Sequence, residues 1–136
     1  MEWKEALPLL QESETAVAAT ITPKGRIQST VVSTAVLDGK LGFASRSHTL
    51  KLKNIQRTGR ITLTVIKLDT RRYVTVEGPA PIEPWQDTPA HIARLKDFYV
   101  AMGRGPKGTD EEFAERMRNE KRSLIFVTPE RIYGSI

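Results

Sequence analysis

The chain has 136 residues, of which 39% are hydrophobic and 27% are charged. This composition argues against a disordered or fibrous protein, and the length fits one domain over residues 1–136. No apolar run approaches the roughly 20 residues that a spanning helix needs, no secretory signal is visible, and without cysteine there are no disulfides, thiolate metal sites or cysteine nucleophiles. We therefore expect a cytoplasmic protein with no membrane partner.

The first half of the chain shows one helical pattern followed by strand patterns. Trp3, Leu7 and Leu10 predict a short helix within residues 1–13, with Pro8 easiest to place near its start. Asp38-Gly39 is a hairpin signal, and Ser47 or Thr49 could cap a short helix that ends at Thr58-Gly59. Strands are predicted at residues 16–21, 26–37, 41–44, 61–67 and 73–77.

The second half begins with a proline-rich stretch over residues 78–89. A helix follows, because Ile92, Leu95, Tyr99 and Met102 recur at a spacing of three or four. We interpret residues 103–108 as a linker. Thr109 and Glu112 form a capping box for a second helix, which places Phe113 and Met117 on one face. Residues 124–127 and 131–133 are the last predicted strands.

This order predicts a mainly β protein with short helices (α+β). Long antiparallel strands joined by tight hairpins indicate a closed or nearly closed barrel rather than a parallel sheet. We expect an antiparallel barrel of six to seven strands.

Few catalytic constellations are compatible with the sequence. His48 and His91 are the two histidines, so a three-histidine zinc site is excluded and we expect no metal; we interpret His91 as structural or solvent-facing. There is no Gly-x-Ser-x-Gly elbow, and the glycine-rich linker lacks the Gly-Lys-Ser/Thr ending of a P-loop. No side chain is assigned as catalytic.

The cations are concentrated in one part of the sequence. Residues 39–68, called here the basic window, contain seven Lys or Arg residues and no Asp or Glu. Such a field suits an anionic partner, although a solvated basic face has the same composition. Within the window, residues 44–54 run from a strand into a helix start, where hydroxyls, backbone N–H groups and cations could cradle a phosphate. The alternative is that Ser47 and Thr49 only cap the helix.

The order of these motifs resembles the pyridoxamine 5'-phosphate oxidase-like split-barrel superfamily, especially its F420-dependent branch. The resemblance covers nearly the whole chain. It rests on residues 18–26, 28–33, 38–45, 51–57, 76–78 and 127–134.

The resemblance implies a homodimer with the coenzyme ring along the second strand at the subunit interface. The residues implied to line the ring, largely through backbone groups, are Gln28, Ser29, Thr30, Val31 and Val32. Those implied around the phosphate are Ser45, Arg46, Ser47, Thr49, Lys51 and Asn54. Lys51 and Asn54 match the family pattern best, whereas Thr49 stands where many relatives have a basic residue and Gly59 replaces a usual proline.

The implied activity is transfer of a hydride between coenzyme F420 and a conjugated small-molecule acceptor. The basic window favours F420, since a phosphate and a polyglutamate tail together carry several negative charges. The alternatives are an FMN-dependent pyridoxamine 5'-phosphate oxidase-like oxidoreductase, or a barrel that binds a cofactor or nucleic acid without catalysis. Nucleic-acid binding is poorly supported, because Phe43 is the sole aromatic residue in the basic window and stacking needs aromatic platforms.

Overall fold

The computed structural model describes all 136 residues, which form four helices and eight strands. The helices are α1 (Trp3–Glu12), α2 (Leu50–Thr58), α3 (Pro89–Ala101) and α4 (Asp110–Glu120). The strands are β1 (Thr15–Ile21), β2 (Ile27–Leu37), β3 (Lys40–Arg46), β4 (Arg60–Lys67), β5 (Arg72–Pro79), β6 (Ile82–Glu83), β7 (Arg122–Val127) and β8 (Arg131–Ser135). None of the helices combines the length and hydropathy needed to cross a bilayer.

The eight strands form one antiparallel sheet in the order β6-β7-β3-β2-β1-β4-β5-β8. The two ends of this sheet meet. The edge strand β8 pairs with β5, whereas the other edge strand, β6, follows β5 in the chain and pairs with β7. Between these pairs the Thr128 N–H donates to the Pro79 carbonyl at 2.7 Å. The sheet therefore closes on itself as a barrel.

Gly78 makes this closure possible. A Cβ built at this position would lie 1.9 Å from the carbonyl oxygen of Thr128, far inside van der Waals contact. The adjoining backbone is held by a hydrogen bond from the Glu130 N–H to the Glu77 carbonyl at 2.9 Å. Any side chain at Gly78 would push β5 away from the turn that joins β7 to β8.

Hydrophobic side chains pack on both sides of the β2-β3-β7 part of the sheet. The barrel interior is closed by helices, with Leu9 of α1 and Leu52 of α2 packed among inward strand residues such as Leu63 and Val65. On the outer side, α3 and α4 cover the β3-β7 region through a second cluster that includes Phe98 and Phe113. The four helices therefore close the barrel and cover one part of its outer face.

The outer side of β2 is covered at one end only. Ala35 and Leu37 lie under α3 and α4, whereas Val32 and Val36, which point the other way, pack on the barrel interior. Ile27 and Val31 share the outward face but are 72% and 76% exposed. The outer surface around them, formed by β1, the first part of β2, β4, β5 and β8, is called here the bare face.

The predicted fold class is confirmed, with one difference in strand number. The structure has eight strands instead of six to seven, because residues 82–83 form the short strand β6 within the proline-rich stretch. Thr49 is the N-cap of α2, and Gly59 ends that helix with a left-handed φ of 72°. Pro8 lies inside α1 rather than near its start.

Candidate functional site

A cleft of about 330 Å³ opens on the outer side of the barrel, at the edge of the bare face. It lies where the uncovered part of β2 meets the ends of β3 and β7, the start of α2 and the end of α3. Six of the residues predicted from the sequence line it: Val31, Val32, Ser45, Arg46, Thr49 and Lys51. The structure therefore brings together parts of both predicted groups, from β2 and from the strand-to-helix segment.

The other predicted residues lie outside this lining. The Asn54 side chain is fully buried, and its amide donates to Thr20 Oγ1 at 3.1 Å and to Gln28 Oε1 at 3.2 Å. Ser47 binds the carbonyl of Lys121 through both its N–H and its hydroxyl. Asn54, Gln28 and Ser47 thus connect elements of the fold in this structure.

Ser29 and Thr30 lie on opposite sides of β2. Ser29 is exposed on the bare face, opposite Ala19 of β1. The hydroxyl of Thr30 is buried and has no hydrogen-bond partner. Neither side chain lines the cleft.

The start of α2 supplies polar groups to the cleft. Thr49 caps the helix by accepting from the Leu52 N–H at 3.4 Å, and its hydroxyl lies 2.7 Å from that of the buried Ser45. The N–H groups of Leu50 and Lys51 are among those that a helix start leaves without an intrahelical partner. Together with the helix dipole, these groups make the position favourable for an anion.

Four cationic side chains line the same cleft: Arg46, Lys51, Arg104 and Arg122. Burial lowers the pKa of the Lys51 ammonium, and the positive charge of Arg122 lowers it further. None of the ion pairs in the structure includes Lys51, whereas Arg46 and Arg122 contact Glu120, and Arg104 contacts Glu14. The cleft therefore contains one half-buried cation without a counter-charge, which an anionic ligand could supply.

Arg104 and Arg122 were not predicted from the sequence. Arg122 lies directly opposite Arg46 on the neighbouring strand, a relationship that depends on how β3 and β7 pair. Arg104 lies in the glycine-rich segment interpreted as a linker, and its side chain turns back toward β1 to reach Glu14. The only local signal for either residue is its charge beside an element boundary.

Aromatic and apolar side chains of α3 form another wall of the cleft. Phe98, Tyr99 and Met102 line it, and Tyr99 and Met102 belong to the helical pattern found in the sequence. Burial raises the pKa of the Tyr99 phenol. The Tyr99 ring is held edge-on between Phe98 and Phe113, with centroid separations of 6.2 and 5.8 Å.

The two histidines lie outside the cleft. His91 is buried, and its Nε2 lies 2.8 Å from the carbonyl oxygen of Arg122, beside the edge of Trp85. His48 is exposed in the turn before α2. Of the two interpretations of His91, structural or solvent-facing, the structure agrees with the structural one, because the contact helps to hold the strand that carries Arg122.

The basic window does not form one continuous free cationic surface. Arg60 pairs with Glu130 at 2.5 Å and Lys67 pairs with Glu12 at 2.7 Å, because distant elements bring carboxylates to both. Of the seven cations of the window, only Arg46 and Lys51 line the cleft. Phe43, its sole aromatic residue, is fully buried and offers no stacking platform for a nucleotide base.

The family model described as pyridoxamine 5'-phosphate oxidase matches residues 3–135 of this chain. No curated protein matches it. Among solved structures, a conserved hypothetical protein from Mycobacterium tuberculosis is 24% identical, with a TM-score of 0.78 over 99% of this chain and 84% of that one.

Two further structures carry names that describe a ligand or an activity. An F420 reductase is 27% identical, with a TM-score of 0.67 over 93% of this chain and 94% of that one. A pyridoxamine 5'-phosphate oxidase-related, FMN-binding protein from Nostoc punctiforme is 16% identical, with a TM-score of 0.71 over 98% of this chain and 83% of that one. For the two structures that are 24% and 16% identical, the similarity shows the fold alone.

Proposed function

Because the chain belongs to the pyridoxamine 5'-phosphate oxidase family, we propose that it is an oxidoreductase that binds a phosphate-bearing flavin or deazaflavin coenzyme in the cleft beside β2. The observation that carries this proposal is the grouping of Lys51, Arg46, Arg104 and Arg122 next to the exposed apolar surface of Val31. A phosphate needs cations and N–H donors, and a flat conjugated ring needs an apolar wall.

The donor set fits such a coenzyme. Lys51, Arg46, Arg122 and the N–H groups at the start of α2 would hold the phosphate, with Thr49 as a hydroxyl donor that Ser45 orients through their 2.7 Å contact. Val31 and the backbone of β2, including that of Val32, would support the ring, in accordance with the resemblance found in the sequence. When bound, the coenzyme would supply hydride chemistry, so the residues of this chain need only bind, orient and exclude water.

We favour F420 over FMN as the coenzyme. The four cations of the cleft are paired with only two carboxylates, Glu120 and Glu14, and the remaining positive charge suits a ligand that carries a phosphate and additional carboxylates. The 27% identity to an F420 reductase supports the same choice. The proposed reaction is hydride transfer from reduced F420 to an electron-poor, conjugated small molecule.

We further propose that two copies of the chain pair through the bare face and enclose the cleft. Ile21 lies opposite Ile27 on this face, and Val31 belongs both to it and to the cleft. Tyr73 and Tyr133 add partly exposed aromatic surface on β5 and β8. Exposed apolar patches of this kind mark interaction surfaces, and a two-fold pair is the most common arrangement of identical subunits.

The experiment that tests the function is a fluorescence titration of the purified protein with F420 and with FMN. A successful titration is followed by mixing the protein with reduced F420 and a quinone, and recording the coenzyme absorbance. Binding of F420 followed by oxidation of the reduced form supports the proposal. Binding of FMN without binding of F420 would mean that the coenzyme is FMN. Binding of neither compound would contradict the proposed function.

A further inference from the structure

Two arginines of the cleft face each other across neighbouring strands. Arg46 on β3 and Arg122 on β7 are directly paired in the antiparallel register. Like charges in this position repel one another and destabilise a strand pair. The structure therefore needs a nearby negative group to keep both arginines at the mouth of the cleft.

Glu120 provides that negative group. One of its carboxylate oxygens accepts from Arg122 Nε at 2.8 Å, and the other lies 3.8 Å from an Arg46 guanidinium nitrogen. The Glu120 side chain is 21% exposed, so water screens these ion pairs only in part. Glu120 is the last residue of α4, where the helix dipole disfavours a carboxylate. The two ion pairs offset this unfavourable position.

Glu120 acts from behind the arginines. It is not among the residues that line the cleft, so it does not occupy the space of a ligand. Its negative charge nevertheless lies next to the two guanidinium groups and reduces the positive potential that they create in the cleft. The carboxylate of Glu120 would therefore weaken the binding of an anion without contacting it.

We propose that Glu120 is a positioning residue that sets the anion affinity of the cleft by partly neutralising Arg46 and Arg122. This inference rests on the proposed function. With Glu120 in place, a simple inorganic anion binds weakly, and a coenzyme must add ring contacts to bind well. Removal of the charge strengthens anion binding while it destabilises the ligand-free protein, because the two arginines then repel without compensation.

The test uses Glu120→Gln, which keeps the shape and an oxygen acceptor but removes the charge. The probe is inorganic phosphate, and its dissociation constant is taken from the rise in melting temperature with phosphate concentration. We expect phosphate to bind roughly three- to tenfold more tightly than in the wild type. We also expect the ligand-free melting temperature to fall and the loss of phosphate affinity with added salt to become steeper.

Two further variants separate charge from structure. Glu115→Gln, on the same helix, removes a carboxylate that pairs with Arg118 and is expected to leave phosphate affinity unchanged. Glu120→Asp keeps the charge on a shorter side chain and is expected to stay near the wild-type affinity. A merely structural role for Glu120 would lower stability and phosphate affinity together in the Gln variant.

The outcomes distinguish this inference from the proposed function. If the wild type binds phosphate and Glu120→Gln binds it no more tightly, the role of Glu120 is overturned and the coenzyme site stands. An equal gain of phosphate affinity in Glu120→Asp would also overturn this role, because the Asp variant keeps the negative charge and the loss of charge could then not explain the gain. If the wild type binds neither phosphate nor either coenzyme, both proposals are overturned.

Discussion

Lys51 of α2 and Arg122 of β7 line the same cleft, and burial together with the charge of Arg122 lowers the pKa of the Lys51 ammonium. A bound phosphate would relieve both unfavourable effects by charge-assisted hydrogen bonding. Such contacts contribute about 1.5–3 kcal/mol, so Lys51→Ala should weaken coenzyme binding by roughly ten- to a hundredfold. Fluorescence titration measures this change. Lys53→Ala, on the exposed side of the same helix, is the matched control, and equal affinities in all three proteins would remove Lys51 from the site.

The affinity for phosphate should depend on the protonation of Lys51. Because its pKa is lowered from 10.5, the ammonium loses its proton at a lower pH than a free lysine does. Inorganic phosphate affinity should therefore decline as the pH rises through the lowered pKa, before 10.5 is reached. The ligand-free protein should gain stability over the same range, since the unfolded chain then binds more protons than the folded one.

The control for this pH dependence is Lys51→Arg, whose guanidinium stays charged throughout the range. Phosphate affinity and melting temperature are measured in parallel at a series of alkaline pH values. The alkaline decline should disappear in the Arg variant. The same decline in both proteins would mean that another group titrates.

The bare face should hold two subunits together. Ile27→Glu would bury an unpaired carboxylate in the proposed interface, which costs several kcal/mol. At micromolar concentration we expect sedimentation to give twice the chain mass of 15.3 kDa for the wild type and the single mass for this variant. Leu68→Glu is the matched control, because Leu68 is equally exposed at 72% but lies in the turn between β4 and β5. A monomeric wild type that binds coenzyme would contradict the dimer.

Asn54 should matter for stability through its buried contacts. Asn54→Ala removes the amide that donates to Thr20 and Gln28, and it leaves the oxygen of the buried Thr20 hydroxyl without a donor. The free energy of unfolding should fall by about 1–3 kcal/mol in a urea titration. Gln56→Ala, at an exposed position of the same helix, should change it by less than about 0.5 kcal/mol. A larger loss of phosphate affinity in Asn54→Ala than in Lys51→Ala would instead indicate direct binding by Asn54.

The parts of the fold that depend on local chemistry were predictable from the sequence. The capping box of Thr109 and Glu112 starts α4, and Gly59 ends α2 as expected. The strand β6 cannot be predicted from the sequence, because two residues between prolines are too few to show a strand pattern. Its existence depends on pairing with β7, which is distant in the sequence.

The candidate site was predictable only where its residues are close together in the sequence. Arg46, Thr49 and Lys51 belong to one strand-to-helix segment, and all three line the cleft. Arg122 reaches it through the pairing of β3 with β7, which no local pattern encodes. The basic window contains fewer free cations than its sequence suggests, for a related reason. The carboxylates that neutralise Arg60 and Lys67 come from elements that are distant in the sequence.

The most direct test of the coenzyme site compares the affinity for F420 with that for the same deazaflavin ring lacking phosphate and tail, at several salt concentrations. We expect F420 to bind about tenfold more tightly at low salt, because salt then screens the charge-assisted contacts to the cations of the cleft least. We also expect this advantage to shrink as salt is added. Equal affinities with parallel salt dependence would contradict the proposed coenzyme site, since the cations of the cleft would then bind no anion of the coenzyme.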